Sequence, residues 1–221
     1  MSAPHPDPLQ IFHEHIHSLQ HAPMAAPLSP ASADDVLASS VAPLPSLAAS
    51  AAAAPALPRN ASKEWVGLPA LIAKHAAQIA TFEAHLAASH FRKIHRAHYD
   101  WWFVPIDALQ SMHGQAYSIF AEEIAQLKAD HAFMQRWRRG VELMALAWGW
   151  DLAAARDIPQ SQRSPGQEWA DWPIRLWKMA RSAQLLGEDK IFLSLRAYGR
   201  QLIKAKHEFT FGKMDLKPMF A

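Results

Sequence analysis

The chain has 221 residues, of which 50% are hydrophobic, and carries a formal charge of +2 at neutral pH. This composition is typical of a soluble protein, and no window offers the uninterrupted run of about 20 apolar residues that a transmembrane helix needs. The absence of cysteine excludes disulfides, thiolate metal sites and a cysteine nucleophile. The first residues lack the basic start and apolar run of a secretory signal, so we expect a cytoplasmic protein.

Residues 1–62 form the first region of the chain and differ in composition from the rest. They hold ten of the 16 prolines and an Ala/Ser/Pro-rich run from Ala22 to Pro58, whereas all nine tryptophans come later. Their formal charge is −3, and residues 63–221 carry +5. Burial of so few bulky apolar side chains cannot offset the conformational entropy that the segment would lose on becoming ordered. That loss is about 1 to 2 kcal/mol per backbone residue. We therefore predict a long disordered N-terminal segment.

A histidine-rich segment, HEHIHSLQH, lies within this tail. His13, His17 and His21 share one helical face, and imidazoles spaced in this way can chelate zinc or copper. An apolar stripe in this segment and in the two residues before it is typical of a short helix that docks on a partner. The stripe consists of Ile11, Phe12, Ile16 and Leu19. Docking is the favoured interpretation, and metal binding and the absence of any role stay open.

Residues 63–221 have the length and apolar content of one packed domain, and their apolar spacing predicts helices. Val104 precedes a proline, Asp130 is a predicted N-cap, and Gly149 and Gly187 are predicted to end helices. The predicted helices span residues 67–88, 89–101, 122–129, 133–148, 171–186 and 189–204. No stretch alternates apolar and polar residues over strand length. The predicted fold is therefore all-α, a single domain of about six helices.

Two connecting segments of this domain are long for a compact helical protein. Residues 106–117 and 158–170 are rich in Gln, Ser, Pro and Gly, and each has about a dozen residues. Because binding residues are concentrated on such loops, both are candidates for function.

The densest chemical signal is FRKIHRAHYDWWFVPI, residues 91–106. One interpretation is that this run packs into the core, where its indole and phenol groups form hydrogen bonds within the protein. The other is a cleft lined by aromatic rings and bordered by cations, which suits an anionic or aromatic ligand. The binding hypothesis assigns the cleft to His95, His98, Tyr99, Trp101, Trp102, Arg136, Arg139 and Arg175.

The arginines of this set lie on two helices further along the chain. Arg136 and Arg139 share one helical face, and Arg175, Lys178 and Arg181 are spaced three apart on another. A solvated helix surface is the simplest explanation, and a basic groove across a helix pair is the alternative. The excess of positive charge is small, so nucleic-acid binding is a weak alternative function.

A second alternative is a small helical enzyme. His95, His98 and Asp100 could converge as a catalytic or metal site, although such spacings arise by chance in a chain with 13 histidines. The phosphate-binding glycine loop, the dinucleotide fingerprint and the common hydrolase motifs are all missing from the sequence. We therefore predict no catalytic residue, no metal and no cofactor.

Ordered motifs over residues 88–203 resemble the conserved region of the opioid growth factor receptor family. They are a histidine and aromatic run ending at Pro105, an acidic pair with isoleucine at 122–124, an arginine-containing helix ending at Trp148 and Gly149, and the later Arg175, Arg181, Ser182, Leu186 and Gly187. The family's C-terminal repeats are missing, and the Ala/Pro-rich tail is unrelated. The resemblance implies a shared fold, peptide binding and growth regulation in or near the nucleus, without catalytic residues.

The sequence thus favours a non-catalytic binding module for an unknown protein or peptide partner. No membrane association is expected, and the tail is expected to tether or dock. Neither the ligand nor the partner follows from the sequence alone, since a fold supports many functions.

Overall fold

The computed structural model describes residues 58–108 and 113–221, and the histidine-rich segment lies outside the described residues. We number the elements in chain order. The helices are α1 (Leu68–Ala87), α2 (Phe91–Arg96), α3 (Asp100–Phe103), α4 (Ala121–Ala129), α5 (His131–Ala147), α6 (Pro173–Leu186) and α7 (Asp189–Lys204). Two antiparallel hairpins pair β1 (Trp150–Asp151) with β2 (Arg156–Asp157) and β3 (Thr210–Phe211) with β4 (Met214–Asp215). Short 3-10 turns span Gln160–Gln162 and Lys217–Met219.

The prediction of a mainly helical fold is confirmed, and the prediction that it is purely α-helical is wrong. The described residues contain two hairpins, each made of two-residue strands. A strand of two residues is too short to show the alternation of apolar and polar side chains from which strands are predicted. None of the helices in the described ranges is long and apolar enough to cross a bilayer.

Several helix ends lie where local signals predict them. The Asp130 side chain accepts a hydrogen bond from the Phe133 backbone N–H at 2.9 Å, which caps α5. Gly187 ends α6 in the left-handed conformation, with φ of 75°. Pro173 is the first residue of α6 and Trp172 occupies the N-cap position, so this helix begins two residues after the predicted start at residue 171.

The predicted helix over residues 89–101 is interrupted between α2 and α3. Arg175 of α6 is buried and donates hydrogen bonds to the carbonyls of His95 at 2.7 Å and Ala97 at 2.8 Å. In a continuous helix these carbonyls would accept bonds from the following turn. A contact from α6 therefore replaces the helical bonds, and α3 begins at Asp100.

The core forms where α5 crosses α1 and packs near α6. At the α1 crossing, a Cβ on Gly140 would lie 2.5 Å from Ile79 Cδ1 and 3.0 Å from the Phe103 ring. Trp137 of α5 is fully buried, and its indole donates to Ser182 Oγ of α6 at 3.1 Å. Helix α7 also packs against α6.

The described chain starts upstream of the predicted domain boundary at residue 63. Asn60 is buried, and its side-chain amide donates to the carbonyls of Gln115 and Ser118, both at 2.8 Å. Its backbone N–H donates to the Glu123 carboxylate at 3.0 Å, and that carboxylate also accepts from Phe120 N at the start of α4. Residues 58–62 are thus tied to the helices and belong with the domain.

Candidate binding groove

Three residues of the predicted cleft have structural partners inside the protein. Tyr99 is 1% exposed, and its hydroxyl donates to Met144 Sδ at 3.1 Å. The Arg175 guanidinium lies 4.6 Å from the Tyr99 ring centroid and holds the backbone between α2 and α3. His95 is buried, and its Nε2 lies 2.9 Å from the Gly166 carbonyl oxygen. These contacts leave none of the three side chains open to a ligand.

The residues of the alternative catalytic set, His95, His98 and Asp100, have separate environments. Asp100 is buried, with Oδ2 at 2.6 Å from Lys178 Nζ and Oδ1 at 3.7 Å from Arg175 Nε. Burial alone would raise the pKa of Asp100, but the two cations outweigh it and hold that pKa below its usual value. His98 is exposed, whereas burial lowers the pKa of His95. Within the ranges that the structure describes, no group of three His, Cys, Asp or Glu side chains could hold a metal ion.

The two adjacent tryptophans belong to an aromatic cluster beside α1. Trp101 is 7% exposed, and Trp102 is half-buried. Lys74 Nζ lies 3.9 Å from the Trp102 ring centroid and donates to the Tyr117 hydroxyl at 2.6 Å. The His113 ring meets Trp101 edge-on, with the centroids 4.6 Å apart. The protein's own side chains thus cover most of these rings.

The remaining predicted residues, Arg136 and Arg139, lie on α5 and do not contact this cluster through any described ion pair or ring contact. Arg139 Nε lies 2.6 Å from Glu83 of α1, and Nη1 lies 2.8 Å from Glu142. Hydrogen bonds to these carboxylates hold the pKa of Arg139 above its usual value. Arg136 is half-buried on the same helix. The eight predicted ligand-binding residues are therefore distributed over several places.

The basic groove proposed from the arginine spacing does not form either. Arg175 is 3% exposed and Lys178 is 4% exposed, and both face Asp100. Arg181 Nη2 lies 2.6 Å from Asp107 Oδ2, with both side chains largely covered. The periodicity of three correctly indicates one helical face, but that face lies against the region around α3. These cations neutralise internal carboxylates and present no solvent-facing patch for phosphates.

A different concave surface lies between α5, the β1–β2 hairpin and the first turns of α7. It encloses a volume of about 1040 Å³, at the top of the range usual for ligand pockets. Its bulky apolar lining consists of Leu146, Trp150, Leu152, Ile158, Ile191 and Leu193. Leu193 is 57% exposed, which makes it the most exposed large apolar side chain among the described residues. We call this surface the α5–α7 groove.

Buried hydrogen bonds hold the floor of the groove in place. The Trp150 indole donates to Ser194 Oγ at 3.0 Å, and Ser194 Oγ donates to the Leu152 carbonyl at 2.7 Å. The Trp150 ring also stacks on Tyr198 of α7, with the centroids 4.7 Å apart. The hairpin is thereby fixed to α7 by side chains that are already paired. A ligand would meet a preformed surface and would not need to order it.

Charged side chains line the rim of the α5–α7 groove. Arg138 Nη2 lies 2.6 Å from Glu188, and Arg139 is paired with Glu83 and Glu142 as described above. Lys190 is an exposed residue at the start of α7 that also lines the groove. The exposed ion pairs are worth little to stability. The arginines of these pairs, and the exposed Lys190, can therefore turn toward a carboxylate on a ligand at low cost.

Sequence reasoning missed this groove. Residues 135, 138, 139, 142 and 146 occupy one stripe of α5, which is a helical spacing visible in the sequence. The stripe is mostly polar, so it indicates a solvated helix face. The exposed leucine on α7 is equally ordinary when considered alone. Only their proximity in space creates a groove.

Comparison of this chain with protein-family models, with curated proteins and with solved structures finds no match. The resemblance to the opioid growth factor receptor conserved region therefore stays a prediction from the motifs in the sequence.

Proposed function

We propose that this protein is a binding module whose α5–α7 groove takes up an amphipathic helix of a protein partner. The observation that carries the proposal is a preformed apolar trough with an exposed leucine, Leu193, at its edge and cations along its rim. Helix-in-groove recognition uses apolar side chains spaced three and four apart on the ligand. The shape and the lining of the groove suit such a stripe.

The cations of the groove indicate which charge the partner helix should carry. Arg138, Arg139 and Lys190 outnumber the carboxylates Glu142 and Asp151 in the lining, so acidic residues beside the apolar stripe of the ligand would form charge-assisted hydrogen bonds. The motif resemblance noted above also implies peptide binding, although it assigns no binding residues. A cytoplasmic location, as expected from the sequence, is part of the same proposal.

The catalytic alternative and the nucleic-acid alternative receive no comparable support. His95 and Asp100 have internal partners, and Arg175 and Lys178 are buried. A catalytic group must reach a substrate, and a phosphate contact must reach solvent. We therefore prefer the binding module.

The test is a titration with a labelled model peptide, about 14 residues long, that carries leucines at i, i+3, i+7 and i+10 and glutamates on its other face. Fluorescence anisotropy should show saturable binding to the full chain. Leu193→Asp should weaken binding at least tenfold, since a charge in an apolar contact costs more than about 1.4 kcal/mol.

The matched control is Val66→Asp, because Val66 is an exposed apolar residue, 37% accessible, that does not line the groove. It should leave the affinity of the peptide unchanged. Equal weakening by both substitutions, or binding that neither affects, would sink the proposal. A scrambled peptide of the same composition separates recognition of the stripe from general charge attraction.

A further inference from the structure

We propose that the resting occupant of the α5–α7 groove is the chain's own segment from Leu9 to Leu19, bound within the same molecule. This inference rests on the proposed function and names the partner for that site. It treats the tail as a competitor that an external helix must displace.

The first support is the sequence of the segment. Leu9, Phe12, Ile16 and Leu19 have the spacing i, i+3, i+7 and i+10, which places them on one helical face. The segment lies between Pro8 and Pro23, the longest proline-free stretch before residue 58, with a proline at the position that favours a helix start. Phe12 is the first aromatic residue of the Phe, Tyr and Trp types in the chain and would be the anchor.

The second support is charge. No lysine or arginine precedes Arg59, and Asp7 and Glu14 lie in or next to the segment. The groove is lined by three cations, Arg138, Arg139 and Lys190, and by two carboxylates, Glu142 and Asp151, so its lining has an excess of positive charge. An apolar stripe flanked by a carboxylate is the ligand chemistry that this groove favours, and the segment carries such a stripe beside Glu14.

The third support is reach. The described chain begins at Pro58, whose carbonyl accepts a hydrogen bond from Glu122 N at the start of α4. Residues 20–57 lie between this point and Leu19, and 38 residues can span at most about 130 Å. A domain of this size has a radius of gyration of about 15 Å, so every face is within reach.

Tethering makes a weak contact sufficient. A connecting segment of this length gives an effective concentration of about 1 mM. A segment with an intrinsic Kd of about 100 µM would then occupy the groove about 90% of the time. Such occupancy reduces the apparent affinity for an external helix by about tenfold.

The absence of cysteine allows a direct proximity test on the full chain. The probe pair is His13→Cys with Ala153→Cys, because Ala153 is exposed and lines the groove, and residue 13 is next to the apolar stripe. Mild oxidation should give a monomeric, internally cross-linked product. The rate of this internal cross-linking should be at least tenfold higher than the rate for either of two control pairs.

The controls separate docking from simple reach. The first, His13→Cys with Ala73→Cys, moves the domain cysteine to an exposed position on α1 outside the groove. The second, Ala38→Cys with Ala153→Cys, moves the tail cysteine closer to the domain along the chain, so reach alone would make it faster. Equal rates for the three pairs would overturn the inference. Disulfide-linked dimers would also overturn it, because the occupant would then be a second copy.

A second measurement separates failure of this inference from failure of the proposed function. Phe12→Asp with Ile16→Asp disables the stripe, and the model peptide should then bind about tenfold more tightly than it binds the wild-type chain. Equal, saturable binding to both proteins would overturn the tail as occupant and leave the groove as a binding site. Absence of binding to either would overturn the proposed function itself.

Discussion

His75 is a single side chain whose surroundings determine a measurable property. Its ring is fully buried on α1, with its centroid 4.9 Å from that of Phe133 and 5.9 Å from that of Phe103. Neither ring nitrogen has a hydrogen-bond partner among the described residues. Burial, assisted by the positive charge of Arg136, lowers the pKa of His75 from 6.5 to about 4. The folded protein therefore holds this histidine neutral.

We predict that His75 makes the protein less stable as the pH falls from 6.5 to about 4. In that window the unfolded chain binds a proton that the folded chain does not, so protonation favours unfolding. The contribution of the neutral His75 to the free energy of unfolding is fully present above pH 6.5. Its loss approaches about 3 kcal/mol below pH 4, since one pKa unit corresponds to about 1.4 kcal/mol.

Urea denaturation of the wild type and of His75→Leu across this pH range measures the effect. Leucine has a similar size and no polar atom, so the variant should be at least as stable at pH 8 and should lose less stability on acidification. Parallel curves for the two proteins would show that the histidine has a partner or is hydrated.

At the scale of the element, helix ends were predictable where the chain itself supplies the signal. Asp130, Pro173 and Gly187 act within one turn of their own helix, and the structure has helix ends at all three. The break between α2 and α3 was not predictable, because its cause is Arg175, 80 residues away from His95. The hairpins were missed because their strands are too short for a periodic pattern.

Gly140 gives an element-scale prediction, because two opposing effects meet at the crossing of α1 and α5. Alanine in place of a mid-helix glycine usually stabilises by about 1 kcal/mol. Here the added Cβ would lie 2.5 Å from Ile79 Cδ1 and 3.0 Å from the Phe103 ring, so the Ile79 side chain, the Phe103 ring or the helices must shift. Overpacking of this kind costs about 1 to 3 kcal/mol, and we expect Gly140→Ala to be destabilising overall.

Chemical denaturation of the Gly140→Ala variant and of the wild type shows whether the substitution lowers the free energy of unfolding. A suppressor supplies the control: Ile79→Val removes the methyl group that meets the new Cβ first. The double variant should recover part of the loss, as expected for residues in contact. A stabilised Gly140→Ala protein would show that the crossing has room for the methyl group.

At the scale of the whole molecule, the position of the groove depends on which helices become neighbours. Arg138 and Glu188, which join α5 to the start of α7, are separated by 50 residues. Periodicity identifies the faces of each helix but not the face that stays uncovered. The aromatic run was prominent in the sequence because it is dense in large apolar rings, and the same property buries Tyr99 and Trp101.

The most direct test of the central claim is a nuclear magnetic resonance titration of the full chain with the model peptide. The resonances to follow are the Trp150 indole N–H and the methyl groups of Leu152, Ile158 and Leu193, all of which line the groove. We predict that these resonances shift together and that the shifts saturate, while the resonance of the Trp102 indole N–H in the aromatic cluster does not shift. Shifts centred on Trp102 and leaving the groove resonances unchanged would contradict the account.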